Sequence, residues 1–380
     1  MNNLLYINFD YMQYCNKTMV QLKTFFRLGF KSYLVYENNN MIFLDQYCEE
    51  RLVHLQCRPI ADRNGKKQSV GKVLASVKIL DEFINLLQID CLYIRRLMFK
   101  SILFTGFMKR HTNQKIYYEI PTFPFDSHNS AAYNLKQRIE YLYYKKYLIK
   151  YVDKTFVICQ NNQSLTDSMI PIENGVDIDR FPVPSPINQS QICLIGIAHL
   201  QNWHGYDRLM KGIAASVHRD RIHLYIVSEE SETVIALRKL VQELGIQKDV
   251  TFMNSQSLEN IIELVRSCAI GIGGLAYHRR GAVYDTSIKN KEYCAMGLPF
   301  VISCEDRSFP DDFKYIYKVK SDESIPDVDA ILKWYTSMER NNPDYRKEMY
   351  EFAKNNLTYE KYYKFHLRTA ACCKERDDER

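Results

Sequence analysis

Short apolar strand patterns alternate with amphipathic helical patterns along most of this 380-residue chain, and that alternation restricts its folds more than any other feature. Strands joined through a helix pair in parallel, because the crossover carries the chain back to the same end of the sheet. The spacing predicts strands near 4–9, 32–36, 89–94, 116–120 and 154–158, with helices near 17–28, 70–87 and 133–150. The pattern then breaks at Asp179-Arg-Phe-Pro182-Val-Pro184-Ser-Pro186, a polar, proline-stiffened stretch suited to a linker. Strands resume near 192–197, 222–227, 250–253, 269–272 and 300–302. The expected class is α/β: two parallel-sheet domains, 1–185 and 186–355, facing across a cleft, followed by a helix and charged tail over 356–380.

Hydrophobic residues make up 46% of the chain, enough for cores that need neither disulfides nor metals. The 11 cysteines are odd in number and contain no C-x-x-C pair, and the first residues enter a strand pattern without a basic leader. Reduced thiols and a cytoplasmic location are expected. The best candidate span, 97–108, is interrupted by Lys100 and flanked by basic residues, so no membrane crossing is expected. Residues 1–190 carry 24 Lys and Arg against 17 Asp and Glu, whereas 191–380 carry 27 against 28. Within the basic half, 135–152 places Lys and Tyr around helically spaced apolar residues. That composition suits the anionic inner face of a membrane or another polyanion such as nucleic acid, while a core-packing helix with a solvated basic face is the commoner case for an isolated helix.

The richest segment is Ser287-Ile-Lys289-Asn-Lys-Glu292-Tyr-Cys-Ala-Met-Gly297-Leu-Pro299. Lys289 and Glu292, three apart, share a helix face, Gly297 stops the helix, and a buried strand follows. Such a helix can aim its amides and Lys289 at a diphosphate while Glu292 accepts from ribose hydroxyls. Upstream, Trp203-His204-Gly205-Tyr206-Asp207-Arg208 reads as a loop opening a helix, with His204 and Arg208 as cations and Gly205 permitting close backbone approach. The long loop after 269–272 gathers His278, Arg279 and Arg280 beside the postulated phosphate site. In the first half, Glu119 or Asp126 can contact or deprotonate an acceptor hydroxyl, although a proline-fixed turn with a solvated Asp explains the same letters. The pairs Asp177/Asp179 and Asp327/Asp329 could suggest a divalent metal, but neither closes a strand inside a nucleotide-binding unit. No metal is expected.

Together these segments resemble the retaining glycosyltransferases of family 4, of the bacterial surface-polysaccharide type, which have two Rossmann-like domains in the GT-B fold. Lys291-Glu-Tyr-Cys-Ala-Met-Gly-Leu-Pro is similar to that family's donor motif around its second glutamate, Trp203-His-Gly-Tyr-Asp-Arg208 to its phosphate-binding loop, and Glu119-Ile-Pro-Thr-Phe-Pro-Phe-Asp126 to a loop of its polysaccharide-building members. Residues 350–361 are similar to its terminal helix, which returns to the amino domain. The chain departs at the motif's first glutamate, which is Tyr284, at the usual lysine, which is His204, and at the usual arginine, which falls near Ala198 or His199. Lys289, Arg279 or Arg280 would then supply the cation. The resemblance implies transfer of a sugar from a nucleoside diphosphate sugar to a saccharide acceptor, lipid-linked, with retention and no cofactor. Two other readings stay open: a weakened sugar-nucleotide-binding subunit of another transferase, and a sugar-nucleotide epimerase. Nucleic acid is not an expected partner.

Overall fold

The computed structural model describes residues 2–13, 15–60, 70–95, 101–123, 131–159, 169–185 and 191–367. Two compact units divide the chain, one built from residues through Glu173 together with those from Tyr359 onward, the other from Asn174–Thr358.

The first unit contains, in order, β1 (Asn2–Ile7), α1 (Cys15–Arg27), β2 (Phe30–Asn38), β3 (Met41–Cys48), β4 (Arg51–Pro59), α2 (Val70–Leu87), β5 (Cys91–Arg95), α3 (Ser101–Arg110), β6 (Lys115–Phe123), α4 (Ala131–Tyr143), β7 (Lys154–Cys159) and β8 (Met169–Ile172). They form one eight-stranded sheet in the order β4-β3-β2-β1-β5-β6-β7-β8. Alternation along β1 sends Leu5 and Ile7 into one core with α2 and α3, and Leu4 and Tyr6 into another with α1. Helices therefore cover both faces, which is why β1 and β5 read as unbroken apolar runs.

One feature departs from the expectation of a purely parallel sheet. Strands β3 and β4 pair antiparallel to their predecessors and extend the edge. Their connections are two-residue turns, Asn39-Asn40 and Glu49-Glu50, whose residues all take positive φ, as hairpin turns of the primed type require. Asparagine suits such a turn, but glutamate carries little signal for it, so the β3–β4 hairpin was hidden in the sequence.

The second unit contains β9 (Ile192–Ile197), α5 (Tyr206–Ala215), β10 (Ile222–Val227), α6 (Glu232–Glu243), β11 (Val250–Met253), α7 (Leu258–Arg266), β12 (Ile270–Ile272), α8 (Ile288–Ala295), β13 (Phe300–Ile302), β14 (Ile316–Lys318), α9 (Val328–Asn341) and α10 (Tyr345–Asn356). Its six strands are all parallel, in the order β11-β10-β9-β12-β13-β14. Winding reverses between β9 and β12, the place where open sheets of this kind take ligands. The unit begins upstream of the proline-rich stretch because Val176, Ile178 and Phe181 pack into its core. Tyr359 and Tyr363, the latter closing α11 (Glu360–Tyr363), pack instead into the α1 core of the first unit.

Candidate functional site

Helix α8 is held over the reversal point by its own sequence. Tyr293 is fully buried, and its hydroxyl accepts from the Ile197 amide at 3.1 Å while lying 3.2 Å from the Ile272 carbonyl, so it bridges β9 and β12. At the far end Gly297 takes φ +65°, its amide bonds the Cys294 carbonyl, and the Leu298 amide bonds the Tyr293 carbonyl. That is a Schellman ending, and a Cβ at Gly297 would stand 2.6 Å from the Arg346 carbonyl oxygen. Around the start of α8, Lys291 Nζ donates to Thr286 Oγ1 at 3.1 Å and Asn290 Nδ2 to Asp306 at 3.1 Å. Asn174 donates to the Thr286 carbonyl at 2.9 Å.

With its body fixed, α8 presents a free amino end. Ser287 occupies the N-cap position but its side chain makes no capping bond, which leaves first-turn amides open to an acceptor. Lys289 is half-buried, yet its ammonium nitrogen is shut off from solvent and has no hydrogen-bond partner among the described residues. Burial pushes that lysine down to about 8, against the opposing pull of Asp285 and Glu292. Burial also raises the Glu292 carboxyl, while Arg180 and Lys289 pull it down. Neither Arg180 nor Asp285 carried a sequence signal strong enough to name it as part of this cluster.

His204 faces the same cluster, but not as a cation. Burial, then Lys289, and more weakly Arg280, push it down to about 3. Nδ1 lies 3.0 Å from the Gln201 amide, which donates to it, and 3.3 Å from the Gln201 carbonyl; the shorter contact favours the tautomer with the ring proton on Nε2. Gly205 lets this turn approach the neighbouring loop: at φ +65°, its missing Cβ would lie 2.9 Å from the Ala276 nitrogen. The Leu275 and Ala276 amides bond the carbonyls of His204 and Trp203 at 2.9 and 3.1 Å.

The arginines expected here are otherwise engaged. Arg208 is buried, its Nε donating to the Ser324 carbonyl at 2.8 Å, its Nη2 to those of Ser324 and Lys320, and its Nη1 to that of Leu275. It clamps a loop rather than offering charge. Arg279 grips both Asp207 oxygens at 2.8 Å and meets Glu323 at 2.7 and 2.8 Å. His278 Nε2 also meets Glu323, at 2.7 Å. Arg280 lies over the rings of Tyr277 and Trp203 and stands 3.5 Å from Asp285, which accepts from the Tyr277 hydroxyl. The guanidinium of Arg307 covers Tyr284 at 4.3 Å from the ring centroid.

No family model and no curated protein sequence matches the chain. Among solved structures it is similar to a glycosyltransferase from Rickettsia africae, at 15% identity over 97% of this chain and 99% of that one, with a TM-score of 0.67. HepE from Anabaena, in complex with UDP and glucose, is 12% identical over 94% and 96%, with a TM-score of 0.62. The catalytic domain of Arabidopsis thaliana starch synthase IV, bound to ADP and acarbose, is 8% identical over 96% and 98%, with a TM-score of 0.63. The chain has the GT-B glycosyltransferase fold. At such identities the likeness carries the fold and leaves the chemistry to this chain's own residues.

In the first GT-B unit, Asp126 lies outside the described residues. Glu119 is fully buried on β6 and accepts from Lys17 at 3.0 Å, Gln21 at 2.6 Å and Tyr93 at 2.7 Å. Gln21 and Tyr93 also meet the Tyr363 hydroxyl, at 2.7 and 2.8 Å. Burial raises the Glu119 carboxyl, but Lys17 and Arg95 outweigh it and hold the group at about 2. A carboxylate so fully engaged fastens α11 to the sheet and has no vacant oxygen for an acceptor hydroxyl.

Proposed function

We propose that this chain is a retaining glycosyltransferase of family 4 that transfers a sugar, as a hexosyltransferase, from a nucleoside diphosphate sugar to a saccharide acceptor. One observation carries the reading: the buried, unpartnered ammonium of Lys289 beside the uncapped amino end of α8. A buried cation with no hydrogen-bonded counter-charge is costly unless an anion arrives, and a diphosphate also satisfies the helix amides. Lys289, the α8 amides and the His204 Nε2 proton would stabilise the leaving diphosphate, whose charge grows in the transition state. Glu292 would accept from the ribose hydroxyls. Glu119 holds the fold rather than the acceptor, so in this reading the departing phosphate takes the acceptor proton, and no metal is required.

A thermal-shift series with UDP, GDP, ADP and their sugars tests the donor site. Wild type should be stabilised by one base series and Lys289→Ala should not; a flat response across all of them would remove the proposal.

A binding-only subunit is the second reading, favoured by a neutral His204, engaged Arg208 and Arg279, and Tyr284 at the acidic position. Donor binding without hydrolysis or transfer, and activity restored only with a partner transferase, would select it.

The acceptor proposed is lipid-linked, with the protein working in surface polysaccharide synthesis at the cytoplasmic face of a membrane. Leu135, Ile139 and Leu142 are more than half exposed at helical spacing on α4, with Arg138, Lys145 and Lys146 nearby, and among the described residues no helix is long and apolar enough to cross a bilayer. Such a face suits an anionic surface. Leu142→Glu should weaken co-sedimentation with phosphatidylglycerol vesicles; equal sedimentation would count against contact through α4.

A further inference from the structure

A cavity in the Asn174–Thr358 unit opens at the amino ends of β9 and β10, the opposite end of the sheet from Lys289. Its volume is about 770 Å³, within the usual range for small-molecule sites. Ile192, Ala330 and Leu332 give it an apolar floor, and the α9 side chains Lys333 and Arg340, seven apart, line one wall. Arg221 lines the other.

These three cations have no carboxylate partner among the described residues. Both acidic residues at the rim are already occupied. Asp327 caps α9 through the Ala330 amide at 2.9 Å. Asp329 accepts from Ser216 Oγ at 2.5 Å and the Val217 amide at 3.3 Å, which also ties the Arg221 wall to α9. Neighbouring Arg219 is turned away, to Asp249 at 2.6 Å. The two Asp residues that as a sequence pair hinted at a metal are thus held by neutral donors on the fold, and against their two charges the lining sets three cations, an excess of one positive charge. Nor is this charge generic to the unit, since residues 174–358 hold 22 Lys and Arg against 25 Asp and Glu.

We propose that this cavity is a second binding site, separate from the donor site, for a small soluble polyanion such as an organic phosphate carrying two or more oxyanions. Arg221 on one wall and Lys333 with Arg340 on the other would grip the oxyanions through charge-assisted hydrogen bonds. The apolar floor would take the carbon frame. The walls are tied together before any ligand arrives, so the ordering cost of binding falls on the three exposed side chains rather than on the backbone.

The experiment is calorimetric titration of the full chain with inorganic pyrophosphate. Wild type should bind two equivalents. Lys333→Ala/Arg340→Ala should bind one, with affinity at the cavity weakened at least about tenfold, and Arg221→Ala, which alters the other wall, should weaken the same class. Lys347→Ala/Lys354→Ala, removing the same charge from exposed positions on α10, should behave as wild type. If the donor-site proposal fails but this one holds, wild type binds one equivalent, lost in the α9 variant and kept in Lys289→Ala. An α9 variant that titrates like wild type, or a control that weakens equally, overturns the inference.

Discussion

Each unit of this protein buries a lysine near a glutamate, and the two pairs behave in opposite ways. Lys17 sits 3.0 Å from Glu119, whose oxygens are further satisfied by Gln21 and Tyr93. Among the described residues Lys289 has no hydrogen-bond partner, and Glu292 reaches it through longer-range charge. Burial pushes both lysines down to about 8. Equal burial therefore does not mean equal purpose. A saturated ion pair organises a core, whereas an unsaturated cation at a helix start is a site awaiting its anion.

The same substitution in both places should break this comparison open. Lys17→Met leaves the Glu119 carboxylate buried without its nearest counter-charge, and should cost about 3 kcal/mol of stability in denaturant melts. Glu119→Gln in the Lys17→Met background should restore part of that loss. If Lys17→Met is neutral, the network does not hold the unit together.

At the other lysine the effects divide between ligand and fold. Lys289→Met should weaken nucleoside diphosphate binding by about 10- to 150-fold, the value of a charge-assisted hydrogen bond of roughly 1.5–3 kcal/mol. In the absence of ligand it should raise stability by about 1 kcal/mol, because it removes an unpaired buried charge. A loss of stability matching that of Lys17→Met would erase the distinction between the pairs.

How much of this was legible in the sequence follows from the range of the forces involved. Strands β9 to β13 of the second unit and the ends of α8 depend on local apolar runs and on Gly297 and Pro299, and these can be read along the chain. Of the two hairpin turns, Asn39-Asn40 before β3 carries a turn signal, whereas β4 was hidden because Glu49-Glu50 gives none despite its positive φ. Side-chain allegiance was the least legible. Arg279 meets Asp207 across 72 residues and Lys17 meets Glu119 across 102, and no local pattern announces such pairings. Sequence could thus count cations near the phosphate site, but only three dimensions show that Arg208 and Arg279 are engaged while Lys289 is not.

The smallest effect expected is on pH dependence, and its sign separates the pairs once more. Glu119, held at about 2 against an ordinary 4.5, binds its proton later in the fold than in the unfolded chain. Its contribution to stability is complete above about 4.5 and is lost as pH falls toward 2, so Glu119→Gln should flatten the acid limb of the melting profile. Lys289, lowered to about 8 from 10.5, loses its proton earlier in the fold than in the unfolded chain. Stability from that group therefore rises between about 8 and 10.5, while the ammonium needed by a diphosphate disappears. Donor affinity should fall roughly fivefold between pH 8 and pH 9 as the protonated fraction drops, and Lys289→Met should abolish that dependence. If the same fall persists in Lys289→Met, another group supplies the proton, and the contrast between a closed pair and an open one fails at its second member.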